Sequence, residues 1–182
     1  MGSNWSKLNK YLERGDEAKC VEIYTKSADI RRKLNANVVV DELTLDTYLH
    51  VAAKNGMCKF VKLLLCQNSG NPNKTNRKKQ TAMHKVCEGS KDPVQHECMQ
   101  LLLQWHDQTN QVDVNARDEF ENTPLHYAAM KNLSTCVQTL VANGAYLFVE
   151  NASKWTPCDL AEKNGYKDIA LYLESKMIFS KV

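Results

Sequence analysis

Four stretches of this chain nearly repeat one another: Thr47-Tyr-Leu-His-Val-Ala-Ala, Thr81-Ala-Met-His-Lys-Val-Cys, Thr123-Pro-Leu-His-Tyr-Ala-Ala and Thr156-Pro-Cys-Asp-Leu-Ala. Their leading threonines stand 34, 42 and 33 residues apart. A unit of about 33 residues is one small supersecondary motif, too short to bury its own apolar face. It must lean on its neighbours. The repetition therefore demands a stack, with a displayed surface in place of one central cavity.

The unit from Arg117 to Glu150 shows the physics best. Thr123 can cap a helix, and Pro124 suits its first position because no amide bond is lost there. Leu125, Ala128 and Ala129 give that helix a small apolar face that a neighbour can approach closely. Asn132 takes the turn position held elsewhere by Gly56 and Gly165, since Asn tolerates left-handed backbone next best. Cys136, Val137, Leu140 and Val141 line one side of a second helix, which Asn143-Gly144 stops. Lines of this composition at this period are identified as ankyrin repeats. The expected fold is all-α, a solenoid of about five helical hairpins.

Its units are expected at 1–40, 41–75, 76–116, 117–150 and 151–182. The first is degenerate: Ser6-Lys-Leu8-Asn9 stands where T-P-L-H would stand, and Gly15-Asp16 forms the turn. The long link from Leu34 to Asp46 follows it. The third carries about nine extra residues relative to the repeat length. About three are expected in a loop near Glu88–Gln95 and about six near Asp107–Val112. The last unit passes through Ile169, Leu171 and Leu173 to Met177-Ile-Phe179. Those apolar residues fit either a chain that continues or a tail that packs back.

A formal charge of +3 from 24 bases and 21 acids gives no electrostatic reason to expect nucleic acid as a partner. No apolar run approaches the roughly 20 residues of a membrane span. With no secretory leader pattern either, a cytoplasmic setting is expected. Seven cysteines without a C-x-x-C argue for free thiols acting as small buried hydrophobes, not for a disulfide framework or a metal site. No cofactor and no small-molecule substrate are expected.

Several details exceed what generic repeats demand, among them Met1-Gly2, Gly70-Asn-Pro-Asn-Lys74, Asn122-Thr-Pro-Leu-His-Tyr-Ala-Ala129 and Thr156-Pro-Cys-Asp159. With these the chain resembles the N-terminal region of the ankyrin repeat and IBR domain-containing proteins, which are RING-between-RING ubiquitin ligases. The resemblance implies a recruiting or regulatory portion. The paired Cys and His zinc ligands and the nucleophilic cysteine of the ligase modules are not in this sequence. A free-standing adaptor unrelated to ubiquitin is the alternative.

His50, His84 and His126 recur at one repeat position, which marks them as structural. In ankyrin repeats this His ties a unit to its neighbour, and Asp159 replaces it in the last line. His96 and His106 form no ligand set. Partners of ankyrin repeats dock on the concave side. The matching positions are Lys54, Asn55, Arg77, Lys78, Gln80, Glu119, Phe120, Asn122, Met130, Lys131, Trp155 and Lys163. Phe120 and Trp155 lead, because exposed aromatics make binding hot spots; Trp155 could instead pack on the preceding unit. Arg77-Lys-Lys79 is either solvated decoration or a seat for an acidic segment or anionic lipid. Met1-Gly2-Ser-Asn-Trp-Ser6 fits an N-myristoylation signal at Gly2, which would add weak membrane association; Ser6 could equally serve as a helix cap.

Overall fold

A computed structural model describes residues 3–66, 70–89, 92–105 and 111–179. Within them the chain is a row of five helical hairpins. These are α1 (Asn4–Glu13) with α2 (Glu17–Lys26), then, after α3 (Ala28–Lys33), β1 (Val39–Asp41) and β2 (Asp46–Thr47), α4 (Tyr48–Lys54) with α5 (Cys58–Leu65). They continue as α6 (Ala82–Glu88) with α7 (Asp92–Leu103), α8 (Pro124–Met130) with α9 (Ser134–Ala142), and α10 (Pro157–Lys163) with α11 (Lys167–Phe179). The inner helices α1, α4, α6, α8 and α10 pack on one another in order, and α2, α5, α7 and α9 form the outer row. The fold is an all-α solenoid. After the first hairpin comes α3, and the long link from Leu34 to Asp46 that follows holds an antiparallel two-strand ribbon.

Each inner helix from α4 onward starts on its threonine. Thr47, Thr81, Thr123 and Thr156 occupy the cap position, and the residue three further on bonds back to the cap. The backbone N–H groups of Thr47, Thr81 and Thr123 donate to Nδ1 of His50, His84 and His126 at 3.2, 3.1 and 3.0 Å. A backbone N–H can only donate, so each Nδ1 is an acceptor and each Nε2 carries the hydrogen. Those Nε2 groups donate to the carbonyls of Gln80, Asn122 and Trp155 at 2.9, 3.1 and 3.1 Å. Each carbonyl belongs to the residue just before the next repeat's capping threonine. One neutral ring therefore caps its own helix and holds the next unit. In the last unit the Asp159 carboxylate accepts from the Thr156 N–H at 2.7 Å and reaches no further unit.

Outer helix α2 is capped by its own Asp16, but α5 and α9 are capped from the neighbouring repeat. Neither α5 nor α9 has a side-chain cap of its own. Glu17 accepts from the N–H groups of Lys59 and Phe60 at 2.6 and 3.2 Å, and Asp92 from those of Thr135 and Cys136 at 3.0 and 3.3 Å. A carboxylate at a helix N-terminus satisfies orphan donors and meets the positive end of the dipole.

Three expectations need correction. Ser6 is not the first cap: α1 begins one turn earlier on Ser3, whose hydroxyl accepts from the Ser6 N–H at 3.3 Å, and Ser6 lies inside the helix. Leu8 and Gly15 nevertheless keep their repeat roles, buried and left-handed respectively. Of the extra residues near Glu88–Gln95, those from Asp92 onward are helical. Helix α7 has 12 residues against 9 in α9, so the insertion is an added helical turn, and Gln95 within it is buried. The second insertion and His106 fall largely or wholly outside the described residues. Finally, Cys66 is exposed, whereas the other six thiols are buried.

Candidate partner-binding face

The face is built from fingertips that join one unit to the next. Asn76, Asp118 and Asn151 each stand five residues before a capping threonine. In each, the side-chain Oδ1 accepts two backbone N–H groups: Lys78 and Gln80 at 2.9 and 3.0 Å, Phe120 and Asn122 both at 2.9 Å, Ser153 and Trp155 at 3.0 and 3.1 Å. That bonding folds the tip, and Lys79, Glu121 and Lys154 take positive φ inside it. Adjacent tips are tied by backbone bonds, from Arg77 N–H to the Thr44 carbonyl at 2.8 Å, Glu119 to Lys78 at 2.9 Å, and Ala152 to Phe120 at 2.9 Å. The row is pre-ordered, so binding need not freeze it.

On this row Arg77, Lys78, Glu119 and Phe120 are exposed, and Phe120 leaves 53% of its surface in solvent. Trp155 is 37% exposed, with the Lys163 ammonium 4.7 Å from its ring centroid. That contact brings the last tip and the end of α10 together. Leu43, 79% exposed on the ribbon tip, is an apolar projection that the sequence reading passed over. The Asx residues that shape the tips were also missed, although an Asn or Asp five places before each of the last three threonines signals them.

Gln80 is not on display. It is 3% exposed, and its amide donates to Glu88 at 2.6 Å and to the Tyr127 hydroxyl at 3.1 Å while accepting from Lys85 at 3.3 Å. It braces the base of its tip. Asn122 is half-buried and accepts from the Asn151 amide at 2.8 Å, so it too ties units together. Met130 is half-buried at the end of α8, next to exposed Lys131.

Lys54 and Asn55 border a cleft with Arg14, Gly15, Glu88, Gly89 and Gln95. Asn55 donates to the Leu12 carbonyl at 3.0 Å, and Lys54 lies 3.8 Å from the Glu88 carboxylate. Gln95 donates to the Lys54 carbonyl at 3.0 Å, but its buried Oε1 has no hydrogen-bond partner among the described residues. Gly2 lies outside the described residues.

The repeat histidines and most of the thiols are buried. Burial lowers the pKa of His50 and His84 and takes His126 to about 4. Burial likewise raises the thiols of Cys20, to about 12, and of Cys158, to about 11. Little thiolate exists there at neutral pH, which makes poor nucleophiles. Among the described residues, Cys158, Glu162 and Glu174 place three ligand atoms within 4.8 Å, with both carboxylates exposed. No described helix is long and apolar enough to cross a membrane.

A rigid row of tips beside stacked helices is a protein-binding scaffold, and the profile of "Ankyrin repeats (3 copies)" matches residues 49–151 and 95–179. The chain belongs to the ankyrin-repeat family. It is 36% identical over its whole length to "Ankyrin repeat and IBR domain-containing protein 1" of Mus musculus and of Homo sapiens, and spans 19% of each. It is also 27% identical over 82% of its length to a Caenorhabditis elegans "Transient receptor potential cation channel subfamily A member 1 homolog", of which it spans 11%. Ankyrin repeats bind proteins and are not themselves catalytic.

Proposed function

We propose that this chain is the partner-recruiting, non-catalytic N-terminal portion of a RING-between-RING ubiquitin ligase. Identity to the ankyrin repeat and IBR domain-containing proteins across the full chain supports the ligase connection. The recruiting role rests chiefly on one observation: Phe120 and Trp155 stand exposed on tips already held by Asx bonds and by one another. Aromatics on a pre-ordered support are where binding energy concentrates. Around them Arg77, Lys78, Glu119, Lys131 and Lys163 supply a charged rim, and Lys54 and Asn55 the mouth of the neighbouring cleft.

The test compares proteins captured by the chain and by a Phe120→Ala/Trp155→Ala variant of equal helical content. Loss of captured partners, each single change weakening binding roughly tenfold or more, is the expected result. Identical capture by both would remove these residues from the interface. Sequencing the transcript beyond Val182 tests the ligase half: paired C-x-x-C motifs are expected, and an immediate stop codon would favour a free-standing adaptor.

A second reading, an adaptor reversibly anchored to membrane, is favoured by the Met1-Gly2-Ser-Asn-Trp-Ser6 signal and by exposed Lys7 and Lys10 just after it. It expects a myristoylated Gly2 by mass spectrometry and release from membranes on Gly2→Ala. An unmodified N-terminus in protein from eukaryotic cells would dismiss it.

A further inference from the structure

Helices α5 and α7 bring together two thiols that belong to different repeats. Cys58 is the first residue of α5 and Cys98 lies in the middle of α7, 40 residues further along. Their Sγ atoms are 2.7 Å apart, compared with about 2.05 Å in a disulfide bond. Two glycines permit the approach. A Cβ on Gly56 would come within 2.6 Å of Val94, and one on Gly89 within 2.0 Å of Gln95, so the first turn of α7 seats directly on the Gly56 turn of the second hairpin and on Gly89 of its own. The Val94 carbonyl then lies 3.4 Å from the Cys58 sulfur, an acceptor for its thiol hydrogen.

We propose that Cys58 and Cys98 are a redox modification site, oxidised to a disulfide that staples the second hairpin to the third. With hydrogen peroxide as the two-electron oxidant, the Cys58 thiolate attacks one peroxide oxygen. The O–O bond breaks, and hydroxide leaves and takes up a proton as water. Cys98 thiolate then attacks the sulfenic sulfur of Cys58, the S–O bond breaks, and a second hydroxide leaves as water. Two thiols and one peroxide become one disulfide and two waters, and an external dithiol reverses the change.

Cys58 is the point of entry, with 5% of its surface accessible against none for Cys98. Burial raises both thiols, and the nearby carboxylates of Glu97 and Glu17 raise them further. Thiolate is therefore scarce, and attack follows local opening between the hairpins. The staple thus answers sustained oxidation, while exposed Cys66 reacts first. In a solenoid, stability is nearly a sum over units and their interfaces, so a covalent link at one interface strengthens that joint selectively. It also fixes the cleft between Lys54 and Gln95, which spans the same joint.

The test uses the full chain with Cys66→Ser, to suppress intermolecular bridging, and hydrogen peroxide as probe. After alkylation of remaining thiols, non-reducing peptide mass spectrometry is expected to find Cys58 joined to Cys98, two hydrogens lighter, and cleaved by dithiothreitol. The rate is expected to rise about tenfold per pH unit, and the thermal midpoint by roughly 5–10 °C on oxidation. Cys58→Ala should abolish that shift. Peptide mapping of the Cys66→Ser chain decides the matter even if Cys58→Ala misfolds. Sulfinic acid at Cys58 with no bridge, or a bridge to any other cysteine, would overturn the proposal.

Discussion

His126 shows how much one side chain does when both of its nitrogens are used. Its Nδ1 accepts from Thr123 and its Nε2 donates to Trp155, so protonation would place a second N–H against a backbone donor. Burial, the largest cause, depresses its pKa from 6.5 to about 4. Between those values the unfolded chain binds more protons than the folded one. The stabilisation is complete above pH 6.5 and is lost as pH falls towards 4. For this group alone the loss is roughly 3 kcal/mol, and His50 and His84 shift in the same direction. Chemical denaturation followed by circular dichroism at pH 7.5 and pH 4.5 is expected to show at least that loss, and His126→Gln to make it smaller by this group's share. At this scale the three histidines were legible from their period, but the burial of Gln80 was not. A glutamine at the end of a polar tip gives no sign that Glu88, Tyr127 and Lys85 converge on it from two helices.

Helices and turns were legible wherever local chemistry decides them. Threonine caps, Pro124 and Pro157 in first turns, and the left-handed Asn132 and Gly165 all follow from adjacent residues. Helix α7 was not. Asp92, Pro93 and Gln95 suit a loop, yet Asp92 caps α9, Val94 seats on Gly56 and Gln95 bonds to the Lys54 carbonyl. Each of those partners lies about 40 residues away. Gly56→Ala should accordingly cost about 2–4 kcal/mol, combining left-handed strain with a 2.6 Å clash against Val94. Gly144→Ala, also at positive φ but with nothing within 4 Å of the new Cβ, should cost about 1 kcal/mol. Urea midpoints of the two variants measure the difference, and equal values would show that α7 does not seat there.

Across the whole molecule, cohesion runs from unit to unit. Leu125 has no exposed surface and belongs to α8, the helix that packs between α6 and α10. Leu125→Asp should unfold at least its own repeat, because it buries an unpaired charge at that joint. Loss of far-ultraviolet helical signal and new protease cleavage between residues 117 and 150 are expected; a fully helical, resistant variant would contradict the register of the stack. The repeat lines and their order, with the threonine caps and the turn breakers, came from sequence by itself, since each depends on residues a few places apart. What only the tertiary structure decided is how units meet: which carboxylate caps a neighbour's helix, which polar side chains turn inward, and which two thiols touch. Contacts of this kind between units, such as His50 with Gln80, Cys58 with Cys98 and Asp92 with Cys136, join residues 30 to 44 places apart, and no local preference encodes them.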